Sequence, residues 1–341
     1  MRAVDALITG ATGLIGTHVA AELAAEGRSV RCLVRPSSDT AALRHAAPQA
    51  DLVQADLSSD GEVGADLAGA LSGAKVVLHL AGRLHAGSPF GSDESDAEYQ
   101  LNVESTRGLL EASRAAGVER FVYASSVAVY DPDAVSPISE DGPALPRSAY
   151  GRSKLAAERL VFEYHQRGLP GTVVRPTIVY GAGDRLFLPV ARGLTRLSLL
   201  PMLGGGRNLV DVAAAEDVAT VLVAAAFHPG APGQIYNAAS GHPTSPREML
   251  EVLRAVDGTP IPRVVGLPPL IMRLLAPLGR SVLSGAVPGM EGMAGALATR
   301  YGRRDVFYDM GRVADQLGVR PRHDFHSGLL AARETERARN P

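Results

Sequence analysis

The chain has 341 residues, 46% of them hydrophobic, and a formal charge of −2 with histidines neutral. That length supplies a sizeable core for one large α/β unit or two smaller lobes. A near-neutral balance without a basic-aromatic stripe argues against nucleic acid as a partner. The single cysteine, Cys32, excludes a disulfide framework and cysteine-type metal clusters and fits a reducing cytoplasm; no metal site is expected.

Residues 6–8 form a short apolar run that ends at Thr9 and Gly10, the pattern of a buried strand. Residues 13–25 place Ile15, Val19 and Leu23 at four-residue steps before Gly27, which predicts a helix. Further strands are expected at 29–34, 51–54, 76–80, 121–124 and 172–174, with helices at 67–71, 103–116 and 153–166. Strands alternating with helices predict a parallel, doubly wound sheet, in which ligands bind beyond the carboxyl ends of the strands. After Gly181 the rhythm loosens into a Gly204-Gly205-Gly206 loop, a helix at 216–227 and a strand at 234–237. Proline and glycine then crowd 260–289. The apolar stretch 264–279 is broken by Pro268, Pro269, Arg273 and Pro277, too short and interrupted to span a bilayer, and reads as a buried or pocket-lining helix, with a peripheral membrane contact as the alternative. The N-terminal apolar run enters a glycine turn without a signal-peptide pattern, so a cytoplasmic location is expected.

Two features of this frame carry chemistry. Gly10, Gly13 and Gly16 fall at the first strand-to-helix turn, spaced G-x-x-G-x-x-G, with Thr12, Leu14 and Ile15 between them. Glycine admits a tight turn and close approach of backbone amides to a pyrophosphate, and the helix N-terminus favours that anion. Residues 1–181 are therefore expected to form a dinucleotide-binding domain of Rossmann type, with 209–241 returning to it. Residues 182–208 and 242–341 are expected to form a smaller C-terminal substrate-binding lobe. The second feature is Tyr150-Gly151-Arg152-Ser153-Lys154. Of the 34 lysines and arginines, only Lys75 and Lys154 are lysines. Residues four apart share a helix face, and an ammonium beside a phenol favours phenolate, making tyrosine a usable acid or base. A chance Y-x-x-x-K on a solvated helix has the same spacing.

Cofactor choice is read at the end of the second strand, where an NAD site usually has a carboxylate for the ribose hydroxyls. Here Val34 is followed by Arg35, Pro36, Ser37 and Ser38; a guanidinium suits a 2′-phosphate, so NADP(H) is favoured over NAD(H), although a surface arginine gives the same pattern. Asp56, followed by Leu57, ends the next strand, where it either accepts from an adenine amine or is simply solvated.

With these residues assembled, the chain resembles the extended short-chain dehydrogenase/reductase family along nearly its whole length. The resemblance lies in Gly10 to Gly16, Asp56-Leu57, His79-Leu80-Ala81-Gly82, Asn102-Val103, Ser125 to Tyr130, the Tyr150/Lys154 pair and Arg175 to Gly181. It implies that Ser126, Tyr150 and Lys154 form a catalytic triad. It also implies that Ala81, Gly82, Pro176, Ile178 and Val179 line the cofactor, and that the helices at 103–116 and 153–166 form a homodimer core, although their apolar content fits burial within the monomer equally well. Within that pattern His79 reads as a structural histidine, and Asn102, taken to begin a helix, as a cap or a water relay.

The family holds several chemistries. Dehydratases resembling this chain carry Asp-Glu directly after the hydroxyl residue; Val127 and Ala128 stand there, which excludes dehydration. Sugar-nucleotide epimerases carry an Arg-Asp-aromatic-x-His segment whose arginine clamps a diphosphate; 208–217 keeps Asp217 but lacks that arginine, aromatic residue and histidine, with Arg207 as the available substitute. The apolar run at 267–278 suits a hydrophobic, polyketide-like or steroid-like ketone. The reading is NADPH-dependent carbonyl reduction of a small molecule, nearest in flavour to the dihydroflavonol reductase and 3β-hydroxysteroid dehydrogenase subgroup. A redox-neutral epimerase with retained NAD and a non-catalytic NADP(H)-binding regulator are the alternatives.

Overall fold

The computed structural model describes residues 2–57, 65–82, 96–268, 271 and 304–339. Its first half alternates β1 (Val4–Thr9), α1 (Leu14–Ala25), β2 (Val30–Val34), α2 (Ala41–Ala46), β3 (Asp51–Gln54), α3 (Ala65–Leu71), β4 (Ala74–His79), α4 (Asp96–Ala115), β5 (Arg120–Ala124), α5 (Ala149–Gln166) and β6 (Gly171–Pro176). There follow β7 (Ile178–Tyr180), α6 (Phe187–Thr195), β8 (Leu199–Leu203), β9 (Val212–Ala214), α7 (Ala215–Phe227), β10 (Ile235–Ala238), α8 (Pro246–Asp257), β11 (Arg263–Leu267) and α9 (Phe325–Arg339).

Seven strands make one sheet in the order β10-β6-β5-β4-β1-β2-β3, every neighbouring pair parallel. This is the Rossmann-type doubly wound α/β sheet that the alternation predicts. Helices cover both faces, so the inner strands are buried on both sides and read as near-continuous apolar runs. Strand β2 is buried throughout, and its one charged member, Arg31, is satisfied internally by the carbonyls of Ala70, Ser72 and Arg2 and by Asp51. The chain runs outward from β1 through β2 to β3, then reverses to place β4 on the other side of β1. The crevice at that reversal, beyond the ends of β1 and β4, is where a doubly wound sheet receives a ligand. Strand β10 completes the far edge beside β6.

Outside the sheet, β7 pairs with β9 and β8 with β11, each as a two-stranded parallel ladder. A second apolar core joins Tyr130, Tyr180, Phe187, Val210, Leu253, Tyr308 and Phe325. The segment after residue 303 returns to the loop that follows β5: Ile138 bridges Tyr308, and Ser136 bonds to Asp305 and Phe307.

Two expectations about helix boundaries need correction. Helix α4 begins at Asp96, so Asn102 lies well inside it and does not cap it; its carbonyl instead accepts from the Thr106 hydroxyl at 2.8 Å. Helix α5 begins at Ala149 rather than at 153, because the Ser148 side chain accepts from the Gly151 N–H at 3.0 Å and starts the helix earlier. Tyr150 is therefore helical. The stretch 264–279 opens as strand β11, not as a helix, and apart from Pro268 and Ile271 its remainder lies outside the described residues. Among the described residues no helix is long and apolar enough to cross a membrane, and no cluster of acidic, histidine or cysteine side chains is arranged to hold a metal ion.

Candidate active site

The turn from β1 into α1 is tight enough to demand glycine. Gly10 adopts φ +70°, and a Cβ there would meet the Ala81 nitrogen at 2.7 Å. At Gly16 a Cβ would fall 2.2 Å from the Gly10 carbonyl oxygen. Gly13 caps α1 with no side chain, and no acidic residue stands in the first turn. Leu14, Ile15 and Gly16 thus open α1 with their amides directed along the positive end of the helix. The donor set and this cradle, which a Cβ would fill, fit a dinucleotide pyrophosphate, with Thr12 half-buried on its rim.

The opposite wall is held by a chain of hydrogen bonds. The Ala81 N–H donates to Thr9 Oγ1 at 3.2 Å, and Thr9 Oγ1 lies 2.7 Å from His79 Nδ1. His79 Nε2 lies 3.1 Å from Thr106 Oγ1, whose own hydrogen goes to the Asn102 carbonyl. The donor order assigns the imidazole one proton, on Nε2. Burial, with a smaller contribution from the Lys154 charge, pushes the His79 pKa down to about 3, so the ring is neutral at ordinary pH. His79 therefore works as a strut between β1, β4 and α4, as the sequence reading expects. Gly82 follows directly; a Cβ there would sit 3.2 Å from Lys154 Nζ and 4.0 Å from Asn102 Oδ1.

Tyr150 and Lys154 lie one turn apart on α5, and Ser126 follows the end of β5, where Lys154 reaches the Ala124 carbonyl. Lys154 is 5% exposed, donates to the Ala124 carbonyl at 3.0 Å, and holds its Nζ 4.9 Å from the Tyr123 ring centre and 5.8 Å from that of Tyr150. Burial pulls its pKa down to about 8, opposed by the Glu158 carboxylate. Ser126 stands two residues beyond Ala124 and caps a 3₁₀ turn at Val127–Val129, its Oγ accepting from the Ala128 N–H at 3.1 Å. That contact leaves the hydroxyl hydrogen available to an oxygen beyond the strand end. Helix α5 crosses the same turn, where a Cβ on Gly151 would meet the Ala128 carbonyl oxygen at 2.3 Å, so only glycine lets α5 pack this closely against it.

Most of the remaining predicted positions lie at or beyond the carboxyl ends of β2, β3 and β6, with Ile178 and Val179 in β7 outside the sheet. Arg35 is exposed and shares a turn with Ser38, whose N–H donates to the Arg35 carbonyl at 3.0 Å. Asp56 is exposed and Leu57 half-buried just past β3. Pro176 ends β6 as a buried residue, while Ile178 and Val179 are half-buried in β7. Val127 and Ala128, 2% and 5% exposed, keep the surroundings of Ser126 apolar.

Sequence reasoning gave no role to the pair beneath this site. Glu158 accepts from Ser125 Oγ at 2.5 Å and takes Arg175 on both its oxygens, at 2.9 and 2.7 Å. Tyr150, Lys154 and Glu158 recur at four-residue steps, and that period was the available signal.

A parallel sheet with a glycine turn at the end of β1 and a Tyr–Lys helix beside β5 defines an NAD(P)-dependent enzyme of the extended short-chain dehydrogenase/reductase type. The NAD dependent epimerase/dehydratase family matches residues 6–239, and the chain belongs to that family. A 4-hydroxy-2-methyl-3-oxo-4-farnesyl-3,4-dihydroquinoline-1-oxide ketoreductase of Stigmatella aurantiaca is 31% identical over 333 residues, covering 96% of this chain and 95% of its own. A UDP-glucose 4-epimerase of Mycolicibacterium smegmatis is 32% identical over 267 residues, 74% of this chain and 83% of its own. The solved structure of MoeE5 in complex with UDP-glucose and NAD superposes with a TM-score of 0.73 at 27% identity, over 98% of this chain and 99% of that one.

Proposed function

We propose that this protein uses NADPH to reduce a ketone on a hydrophobic, polyketide-like or steroid-like small molecule to a secondary alcohol, or runs the reverse oxidation. The observation that carries the choice of substrate class is the burial of the segment that runs through β9 into the start of α7. Val210, Val212, Ala213, Ala214 and Ala215 are all 2% exposed or less, so they offer no cation to the diphosphate of a sugar nucleotide. Similarity to a ketoreductase over almost the full length of both chains supports the same reading. Residues 182–208 and 242–341 are proposed as the lobe that receives the substrate.

In this reading Gly10, Thr12, Gly13, Leu14, Ile15 and Gly16 hold the pyrophosphate. Arg35 and Ser38 take the 2′-phosphate, Asp56 and Leu57 border the adenine, and Ala81, Gly82, Pro176, Ile178 and Val179 flank the nicotinamide end. When bound, the reduced nicotinamide supplies a hydride to the carbonyl carbon. Ser126 donates a hydrogen bond to the carbonyl oxygen as negative charge develops there. Tyr150 delivers the proton that turns this oxygen into a hydroxyl. Lys154 stabilises the phenolate left behind and contacts the nicotinamide ribose.

Similarity to a UDP-glucose 4-epimerase, with exposed Arg207 as a substitute anion contact, supports a second reading: redox-neutral epimerisation with retained NAD. One assay separates the two. The purified protein is given NADPH with a panel of prenylated and polycyclic ketones, and separately UDP-glucose without added cofactor. Ketone-dependent loss of NADPH absorbance is the expected result; interconversion of the UDP-sugars without it overturns the proposal. Binding of NADPH with turnover of neither substrate set would favour a regulator. We also propose a cytoplasmic homodimer built through α4 and α5, with light scattering as its check. Cys32 suits a reducing compartment as a packing thiol, its pKa pushed up to about 12 by burial.

A further inference from the structure

We infer that Glu158 is a positioning residue that sets both the orientation of Ser126 and the charge of Lys154 from beneath the site. The inference rests on the roles proposed above for those two residues. Glu158 lies one helical turn beyond Lys154 on the same face of α5 and is 2% exposed. Its carboxylate joins three elements: Ser125 on the β5 side, Arg175 in β6, and its own helix. Arg175 continues the network to the Glu140 carbonyl at 3.2 Å and stacks 4.7 Å from the Tyr130 ring centre. A buried ion pair is a poor stabiliser compared with apolar residues of the same volume. Its bond to Ser125, the neighbour of Ser126, and its place one turn beyond Lys154 give it a different use.

Ser125 is pinned twice. Its side chain donates to Glu158 at 2.5 Å and its backbone N–H donates to the Val174 carbonyl at 2.7 Å. The next residue is Ser126, so the direction in which β5 presents that hydroxyl follows from the Ser125 anchor. The effect on Lys154 is electrostatic. Facing it are Tyr123 from β5, His79 from β4, and Tyr150 and Glu158 from its own helix, with Arg175 behind Glu158. Burial raises the pKa of the Tyr123 phenol, and the His79 ring is neutral. Among the described residues that face Lys154, Glu158 is the acidic one, and it opposes the burial that strips the ammonium of its proton.

The scarcity of lysine allows a direct test. Protein labelled with ¹³C at lysine Cε shows two side-chain signals, from Lys154 and from Lys75, which is exposed and paired with Asp5 and serves as an internal reference. In Glu158→Gln the Lys154 signal is expected to titrate lower than in the parent by about one pH unit or more, with Lys75 unmoved. Water entry into a loosened site would shift Lys154 upward instead, so a titration at or above the parental one overturns the inference. Should the single variant not fold, the charge-balanced Glu158→Gln/Arg175→Met variant is expected to show the same downward shift, and the same contrary result overturns it. Ser125→Ala tests the other arm: kcat should fall while the Lys154 titration and cofactor KM stay put, and an unchanged kcat removes the role assigned toward Ser126. The titration needs no turnover, so it stands or falls apart from the proposed reaction.

Discussion

Gly10 and Ala81 approach so closely that a Cβ on Gly10 would lie 2.7 Å from the Ala81 nitrogen. The chain just beyond β1 and β4 is therefore packed without a gap, and any side chain at position 10 must push the two apart. The φ of +70° adds a backbone cost of about 1–2 kcal/mol for a residue other than glycine. Gly10→Ala should lower the Tm and weaken dinucleotide binding by about tenfold or more. Titration calorimetry with NADPH and NADH measures it; parental affinity would show that the glycine turn is not the cofactor site.

Tyr150→Phe removes one oxygen and keeps the ring, so cofactor affinity and Tm should match the parent. Turnover should fall by a factor on the order of 10²–10⁴, the usual worth of a positioned acid or base. Ser126→Ala should likewise bind cofactor and lose turnover. The readout is carbonyl reduction at saturating cofactor, and more than half the parental rate in Tyr150→Phe would end the proposed mechanism.

Arg35 is exposed at the end of β2 with Ser38 in the same turn. NADPH should bind about tenfold or more tightly than NADH, because a charge-assisted contact to phosphate contributes on the order of 1.5–3 kcal/mol. Arg35→Asp should invert that order by replacing the partner with a repelling charge. Equal affinities in the parent protein would remove the NADP assignment.

Lys154 makes stability depend on pH. Its ordinary value of 10.5 falls to about 8 on burial, so between those limits the unfolded chain binds more protons than the folded one. Stability must then rise with pH across that window. Below about pH 8 the folded protein carries the whole cost of the buried ammonium, on the order of 3 kcal/mol. Lys154→Met should accordingly gain Tm at pH 7 and lose that advantage toward pH 10, while binding cofactor more weakly. Thermal melts of both proteins across this range are the check, and a Tm difference independent of pH would contradict the assignment.

His79 should report a single tautomer. ¹⁵N-histidine spectra are expected to show a proton on Nε2 and none on Nδ1, unchanged from pH 5 to 9. Thr9→Val removes the donor to Nδ1 and the acceptor for the Ala81 N–H, so the tautomer should become mixed and cofactor affinity should drop. A His79 ring that titrates near its ordinary value of 6.5 would contradict the strut role.

What could be read in the chain was local. The glycine turn, the strand–helix rhythm and the Tyr150–Lys154 step all depend on residues within one or two turns of each other. The start of α4 was missed because Asp96 to Asn102 are mainly polar and lack a sustained apolar period. Helix α8 carries a full capping box, Ser245 with Glu248, and Gly258 at its end, signals independent of the apolar period that guided the reading. The Glu158–Arg175 pair could not be foreseen as a pair, since only the placing of β6 beside β5 brings Arg175 under α5. Its acidic half was nevertheless marked by the spacing from Lys154.

The pairing of Ile138 with Tyr308, and of Ser136 with Asp305 and Phe307, has a consequence for synthesis on the ribosome. The loop between Ser126 and Tyr150 is translated long before its partner segment. Until residues 305–308 emerge, Ser136 and Ile138 lack these partners, even though the parallel sheet can already form and offers Asn237 and Arg175 to the same loop. A chain stalled before residue 305 would thus carry a formed parallel sheet beside a loop that still lacks the contacts of Ser136 and Ile138 with its C-terminal segment.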